Sequence, residues 1–541
     1  MDKQWKKKLY EYGFAIITGV IILCLVLFCI FKPDNLMHSD TTAEVILSKL
    51  LADENKLVTT SWFYSTEIRI VYSQLLMVPL FKIFDSYRLV KFLSVFIFYI
   101  LMLWAYFFVC KRLEIKKQWS LIGLALFFSP LSNEYLDMMF IGCFYSSQAI
   151  CTYVVLGIVV SWFVRGKKKE VEKPEKKNWF LVSLIATHIF SFALGLSGLR
   201  YLASLFLPMM LAVAWILFTE EADLFKSNPL KNPWVVNLIY TFSTLVCAGL
   251  GFLVNKFYLA THYSFDTTSE VVFVELADVA DRVLESFKLM VEFFGYYPVE
   301  VVSGRGIVNV LKMALFVFFV GVIIYLFRYR KEKLNRVQRF LLYYFLLVFL
   351  INWYMLIFTE VLMQYRYWIP VYIIGVLLVA VFFQVFTPKI SWQKEVYAIC
   401  IGLAALSSLY GELWQDAKYN DCEKRYAYME FLEENDYTFG YATFWNASVT
   451  EYLSNGKMEV GNLGGENGVA APFEWLCKKD LYKEGYHTGK TFLLLARTEE
   501  AGMLKGDFTV MPDGVKVYED EYYAIYEGNG MYLFSKEETK E

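Results

Sequence analysis

Histidine is nearly absent from this chain. The four that occur in 541 residues, His38, His188, His262 and His487, lie far apart, and no zinc-type spacing exists among them. Cysteine offers little more. Of nine, Cys24, Cys29, Cys110, Cys143, Cys151, Cys247 and Cys400 sit in or beside apolar blocks, where a thiol behaves as a small hydrophobe. Only Cys422 and Cys477 fall in more polar sequence, where an oxidising compartment would let them pair. Charge is scarce at 20% and almost balanced, with a net charge of −2, so no basic groove points to nucleic acid. Phosphate-loop spacing is missing too: the glycines of Gly461–Gly468 have no following Lys-Ser/Thr. No internal repeat emerges from the apolar blocks, which speaks against a transporter built from inverted repeats.

What the chain has instead is apolar mass, 57% hydrophobic and 19% aromatic. It is gathered into blocks of the length that crosses a bilayer, about 20 residues each. The first, Phe14 to Phe31, follows Lys3, Lys6, Lys7 and Lys8. It is long for a signal peptide and lacks a small-residue cleavage site, so it reads as a transmembrane helix. Orientation follows from Lys and Arg, which accumulate in cytoplasmic loops. Lys111-Arg112 with Lys116-Lys117, Arg165 to Lys177, and Arg328 to Arg339 all fall on the cytoplasmic side if eleven helices cross, at 14–31, 88–109, 119–131, 143–164, 179–196, 201–219, 234–257, 307–327, 339–358, 368–386 and 394–412. The N-terminus is then cytoplasmic, while loops 32–87 and 258–306 and the tail 413–541 are extracytoplasmic.

Two apolar stretches are left out of that count. Ile70 to Phe84 is short and contains Pro79 and Lys82. Residues 270–294 interleave apolar positions with Glu270, Glu275, Asp278, Asp281 and Glu285. Both are expected to lie along the membrane surface as amphipathic helices. The tail changes texture. Strand-like runs at Thr491–Ala496 and Tyr522–Tyr526 alternate with helical stretches at Tyr426–Glu434 and Ala447–Leu453. Asn455-Gly456, Gly464-Gly465 and Asp513-Gly514 punctuate them. A small α/β domain is expected there, with a frayed end at Ser535–Glu541. Inside it, Asn446-Ala447-Ser448 matches a glycosylation sequon, a pattern frequent by chance.

The polar residues that could carry chemistry gather at the outer ends of the helices. Asp40 and Glu44 follow the first span and, four apart, share a helix face. Either could take a proton from an acceptor hydroxyl. Thr41-x-x-Glu44 equally fits a capping box, with Asp40 favoured by the helix dipole. Glu134 and Asp137, three apart, repeat the ambiguity in the next outer loop, where Ser132 is a plausible cap. Arg200, Arg305 and Arg366 run against the positive-inside bias. An arginine can grip a phosphate with two donors, or snorkel to lipid headgroups. Arg305, between glycines, also suits a plain turn. His188, inside the fifth helix, reads as a residue bonding across to a neighbouring helix. No residue set specifies a cofactor; a divalent metal stays open, without a ligand motif.

The order of these features resembles the GT-C superfamily of membrane glycosyltransferases, including protein O-mannosyltransferases and aminoarabinose and arabinosyl transferases. A first helix leads to an outer loop with an acidic motif, an interfacial helix (Tyr72–Phe84, then Asp85-Ser86-Tyr87-Arg88-Leu89), and an apolar helix closed by a basic turn. Phe128-Ser129-Pro130-Leu131 through Asp137 matches the second outer loop, and Arg366-Tyr367-x-x-Pro370 a late Arg-Tyr-x-x-Pro element. The sequence departs in having His38-Ser39-Asp40-Thr41 in place of an Asp-Glu pair, and Tyr64-Ser65-Thr66-Glu67 where a His-Pro-Pro element falls. The resemblance implies an inverting transfer of a sugar from a polyprenyl-phosphate donor to an envelope glycan, lipid or protein outside the plasma membrane. Asp40, with Glu44, Glu134 and Asp137 as further carboxylates, would serve catalysis. Arg200, Arg305, Arg366 and Tyr367 would bind the lipid phosphate. A lipid or glycan transporter and a non-enzymatic envelope-binding protein are the alternatives.

Overall fold

A computed structural model describes residues 3–165, 174–220, 232–265, 272–418, 422–466, 469–503 and 514–529. The core of the basic loop expected at Arg165–Lys177 and the frayed end expected at Ser535–Glu541 lie outside the described residues. Along the chain come α1 (Lys3–Phe31), α2 (Ser39–Glu54), α3 (Gln74–Phe81), α4 (Tyr87–Arg112) and α5 (Lys117–Phe128). The short α6 (Asn133–Leu136) continues into a π-turn, Asp137–Ile141. Then follow α7 (Ser146–Arg165), α8 (Pro174–Gly195), α9 (Leu207–Glu220), α10 (Pro233–Val254), α11 (Val279–Phe293), α12 (Gly304–Arg328), α13 (Arg336–Phe358), α14 (Ile369–Val385) and α15 (Gln393–Ser408). In the tail are α16 (Glu423–Glu434) and α17 (Phe444–Leu453).

Every one of the eleven expected spans has a helix at its position. Among the described residues, eight helices are long and apolar enough to cross a membrane, nine if α6 and its π-turn, bent 73° from α7, count with it as one span. The difference lies in α8, whose apolar part is only Val182–Gly195, and in α5. Its 12 residues would rise only about 18 Å, too little for a bilayer core of about 30 Å.

One compact unit comprises Met1–Phe31, Phe96–Val254 and Ser269–Gln415. Its centre is α5 against α14, both almost wholly buried. Gly123 permits their close crossing, since a Cβ there would stand 2.7 Å from the Val376 carbonyl oxygen. Four tyrosine hydroxyls in this apolar interior find carbonyls: Tyr106 donates to Ser120 O (2.9 Å), Tyr135 to Phe127 O (2.7 Å), Tyr153 to Ile373 O (2.7 Å) and Tyr372 to Leu126 O (2.9 Å). His188 bonds across as expected, with Nε2 2.8 Å from Ser243 Oγ on α10. The amphipathic segment is α11. It buries Ser286, Leu289 and Phe293 while Leu284 and Phe287 face outward. Arg282 ties it down by donating to the carbonyls of Leu356, Thr359 and Val361 at 2.7–2.9 Å.

The second unit comprises Lys32–Val95, Asn255–Thr268 and Asp416–Glu541. Its six-stranded sheet has the order β4-β3-β2-β6-β8-β7. The central strands β2 (Phe439–Thr443), β3 (Glu459–Glu466) and β6 (Lys490–Ala496) are parallel, while β4 (Val469–Pro472), β7 (Val515–Glu519) and β8 (Tyr523–Asn529) close the edges antiparallel. The segment expected as the first outer loop, 32–87, joins this unit through two elements. Its strand β1 (Trp62–Phe63) pairs with β5 (Cys477–Lys478). Helix α2 lies on α17, where Ser39 Oγ donates to Phe444 O (2.5 Å) and Thr42 Oγ1 to Ser448 Oγ (3.1 Å).

Three local points are decided by the structure. Cys422 and Cys477 do not pair. Cys422 donates to Asp34 O at 3.1 Å, while Cys477 lies buried beside Tyr482 Oη at 3.5 Å. Asn446 is buried, with its amide donating to Thr443 Oγ1, so the folded sequon does not present it for modification. The surface stretch at 70–84 is helical only over the eight residues of α3, which bury Met77 and Phe81 and turn Leu75 outward.

Candidate active site

Helix α2 begins where the chain leaves the first span. His38, extended at φ −119°, occupies the N-cap position and offers no side-chain cap. The expected capping box is therefore not formed, because the helix starts three residues too early for Thr41 to cap it. Thr41 instead lies 3.2 Å from the His38 ring, and Glu44 turns inward. Asp40 stays half-exposed in the first turn, where the helix dipole favours its negative charge.

Glu44 is 8% exposed, and its surroundings come from three segments of the same unit. Gln74, opening α3, donates to one carboxylate oxygen. Arg69 Nη1 stands 3.9 Å from the other. Arg69 is itself held by Glu67 (3.3 Å) and the Tyr72 hydroxyl (3.1 Å). Burial pushes the Glu44 carboxyl up to about 7; Arg69 and Lys91 oppose the rise and the Asp40 charge adds to it. A cavity of about 20 Å³, room for one water, opens beside Glu44, Tyr64, Arg69 and Gln74. On one helix face Asp40 is thus half-exposed, while Glu44 meets the charges of Arg69 and Lys91 and is poised between protonation states near neutrality.

In the membrane-helix unit, Ser132 caps α6 by accepting from the Tyr135 amide, as the sequence suggests. Glu134 then reaches Arg366, 3.8 Å away, and the Arg366 guanidinium lies 6.0 Å from the Tyr367 ring. Asp137 is buried at the start of the π-turn, its carbonyl accepting from Gly142 N at 2.7 Å. Arg200 is placed over the Tyr145 ring at 4.7 Å. Arg305 is exposed in the first turn of α12, a helical position and not the plain turn that its glycines suggested. The structure therefore brings Asp40 to Glu44 and Glu134 to Arg366, while Arg200 and Arg305 occupy separate places.

Sequence reasoning passed over Arg69, Lys91 and Gln74, and also the ion pair of Lys312 with Glu412, each 1% exposed. For Lys312 a signal existed, since it lies well inside an apolar helix, where ionisable residues are costly and seldom idle; Lys91 follows Arg88 in the first turns of its helix. Arg69 and Gln74 sit in mixed sequence that carries no such mark. Among the described residues, no group of three or more His, Cys, Asp or Glu side chains could hold a metal ion.

No known protein family matches the sequence, and no curated protein does. Among solved structures, ArnT from Cupriavidus metallidurans bound to undecaprenyl phosphate is similar over 95% of this chain and 97% of its own, at 11% identity and a TM-score of 0.54. The oligosaccharyltransferase of Archaeoglobus fulgidus tethered with an acceptor peptide is similar over 93% and 71%, at 13% identity and a TM-score of 0.49. The same archaeal enzyme, AglB, with an inhibitory peptide and a dolichol-phosphate, is similar over 91% and 70%, at 12% identity and a TM-score of 0.47. The likeness to ArnT shows a shared fold, the GT-C-like membrane-helix architecture expected from the sequence. At such identities the likeness is one of fold.

Proposed function

We propose that this GT-C-fold protein transfers a sugar from a polyprenyl-phosphate donor to an extracytoplasmic acceptor, with Asp40 as the base. The observation that carries the reading is the α2 cluster, an open carboxylate at Asp40 beside buried Glu44, with Arg69 and Lys91 supplying positive charge. In the proposed step Asp40 takes the proton of an acceptor hydroxyl. Its oxygen attacks the anomeric carbon, and the bond from that carbon to the phosphate oxygen breaks. Polyprenyl phosphate leaves with the electron pair, and the configuration inverts. Fixed cations lower the barrier by meeting the charge that develops on the phosphate. Arg200, Arg305, Arg366 and Tyr367 are the further candidates for that task.

Two apolar chambers in the membrane-helix unit support a long isoprenoid tail. One of about 470 Å³ is lined by Phe294, Phe319 and Tyr372, and one of about 1000 Å³ by Leu202, Leu245 and Leu350. Helix α11 borders both, with Phe287 and Met290 on the first and Val279 and Val283 on the second. The acceptor class is an envelope glycan, lipid or protein, and the tail 413–541 is the extracytoplasmic domain in this reading. The distribution of Lys and Arg supports that orientation.

A transporter has one observation in its favour, the buried Lys312–Glu412 pair between two apolar helices. One experiment separates the readings. Full-length protein in nanodiscs is given radiolabelled polyprenyl-phosphate sugars, and release of polyprenyl phosphate is measured for wild type and Asp40→Asn. Turnover in wild type that falls by about 1000-fold or more in the variant supports the transferase. Donor left intact by wild type across the panel, or equal turnover in both, refutes it.

A further inference from the structure

Helix α2 has a second polar face that the proposed reaction does not use. Ile46, Lys49, Leu50 and Asp53 recur at i, i+3, i+4 and i+7 and so form one stripe. At 3.6 residues per turn, that stripe lies roughly opposite the side bearing Asp40 and Glu44. It forms a wall of a cavity of about 400 Å³ that also takes in the start of α4 and the Asn455-Gly456 turn before β3.

Most charges lining this cavity are already matched. Lys49 Nζ is 2.5 and 2.7 Å from the Asp53 oxygens, and Lys478 Nζ is 2.9 Å from both Glu451 and Glu459. The Tyr486 hydroxyl donates to Glu459 at 2.8 Å while its ring stays 42% exposed at the rim. Two groups are left over. Asp85 is exposed, and its carboxylate makes no hydrogen bond or ion pair among the described residues. Tyr87 is 5% exposed and packs its ring on Phe81 and Tyr452, yet its hydroxyl has no partner among the described residues and opens on the cavity. The Tyr87 ring is buried while its hydroxyl faces the cavity, where a ligand can complete a hydrogen bond worth about 1 kcal/mol.

Gly456 helps to make the space. Its φ of +74° suits glycine, and a Cβ there would stand 2.4 Å from the Tyr87 hydroxyl oxygen. With Asn455 it forms the turn that bonds back to the start of α4, where Asn455 Oδ1 accepts from Tyr87 N at 2.8 Å.

We infer that this cavity binds a saccharide unit, neutral or amino-substituted, at a site separate from the Asp40 face. A free carboxylate and a free hydroxyl suit a polyhydroxylated ligand, the exposed Tyr486 ring gives a face for a pyranose to stack on, and the surplus of carboxylates repels an anionic sugar. Identifying the ligand as a saccharide rests on the transferase reading; the unfilled hydrogen bonds do not.

Isothermal titration of the full-length protein in nanodiscs with glucosamine, glucose and glucuronate tests the inference. Glucosamine should bind tightest, glucose more weakly, and glucuronate not at all. Asp85→Asn should erase the preference for glucosamine over glucose. Tyr87→Phe, which removes one hydroxyl and keeps the ring, should weaken both about fivefold. Neither change should alter donor cleavage. Failure of all three sugars to bind, glucuronate binding as well as glucosamine, or variants that bind like wild type would each overturn it. Sugar binding in a protein that cleaves no donor would remove the transferase reading and leave the pocket standing.

Discussion

Glu44→Gln offers the most direct test of the cluster on α2. The folded chain holds the Glu44 carboxyl up to about 7, against an ordinary value of 4.5, because burial penalises the ion more than Arg69 and Lys91 favour it. The folded state therefore keeps a proton that the unfolded chain releases. The resulting stabilisation is fully present below about 4.5 and is lost as pH rises through about 7. Between about pH 5.5 and about pH 8 the loss from this one group comes to about 2 kcal/mol. Glutamine has the same shape and cannot titrate, so Glu44→Gln should lack this loss. Equilibrium unfolding with SDS in mixed micelles, run on both proteins at the two pH values, isolates the difference because every other titrating group cancels. The stability of wild type relative to the variant should fall by about 2 kcal/mol on going to the higher pH. Parallel pH dependences would refute the reasoning, and with it the picture of a carboxyl desolvated beside Arg69 and Gln74.

Other perturbations test separate parts of the structure. Gly456→Ala places a Cβ in left-handed backbone against the Tyr87 hydroxyl and should cost about 1–3 kcal/mol, read as a lower midpoint in the same SDS titration. Lys312→Met strands the Glu412 carboxylate in an apolar interior and should cost roughly 3–5 kcal/mol, whereas the double change with Glu412→Leu should recover most of that loss. Met290→Trp fills part of the 470 Å³ chamber. If the chamber takes the donor tail, KM for a long-chain donor should rise about tenfold, while a short-chain soluble donor should react unchanged.

Hydropathy alone determined a great deal here. A membrane-spanning helix must carry apolar side chains along its length because lipid cannot solvate polar ones, so the helices at the eleven expected positions are written as blocks that can be read without a fold. The expected 307–327 and 339–358, for example, correspond to Gly304–Arg328 and Arg336–Phe358, each starting three residues earlier and ending within one. The pairing of Asp40 with Glu44 was legible too, since four residues on a helix return to one face. Local tail elements followed from alternation and turn residues, as at Lys490–Ala496 and Phe444–Leu453.

Only the tertiary structure decided what those carboxylates face. Arg69 and Gln74 reach Glu44 from across a loop, and their approach depends on α3 packing against α2, a contact between segments with no periodic signature. Strand β1 is two residues long, and only its partner in the tail, more than 400 residues away, makes it a strand. Whether Glu44 would cap a helix or become a buried, half-protonated acid was equally undecided by spacing, because both outcomes use the same i, i+4 geometry. Burial chose between them, and burial is set by which distant surfaces the chain brings together.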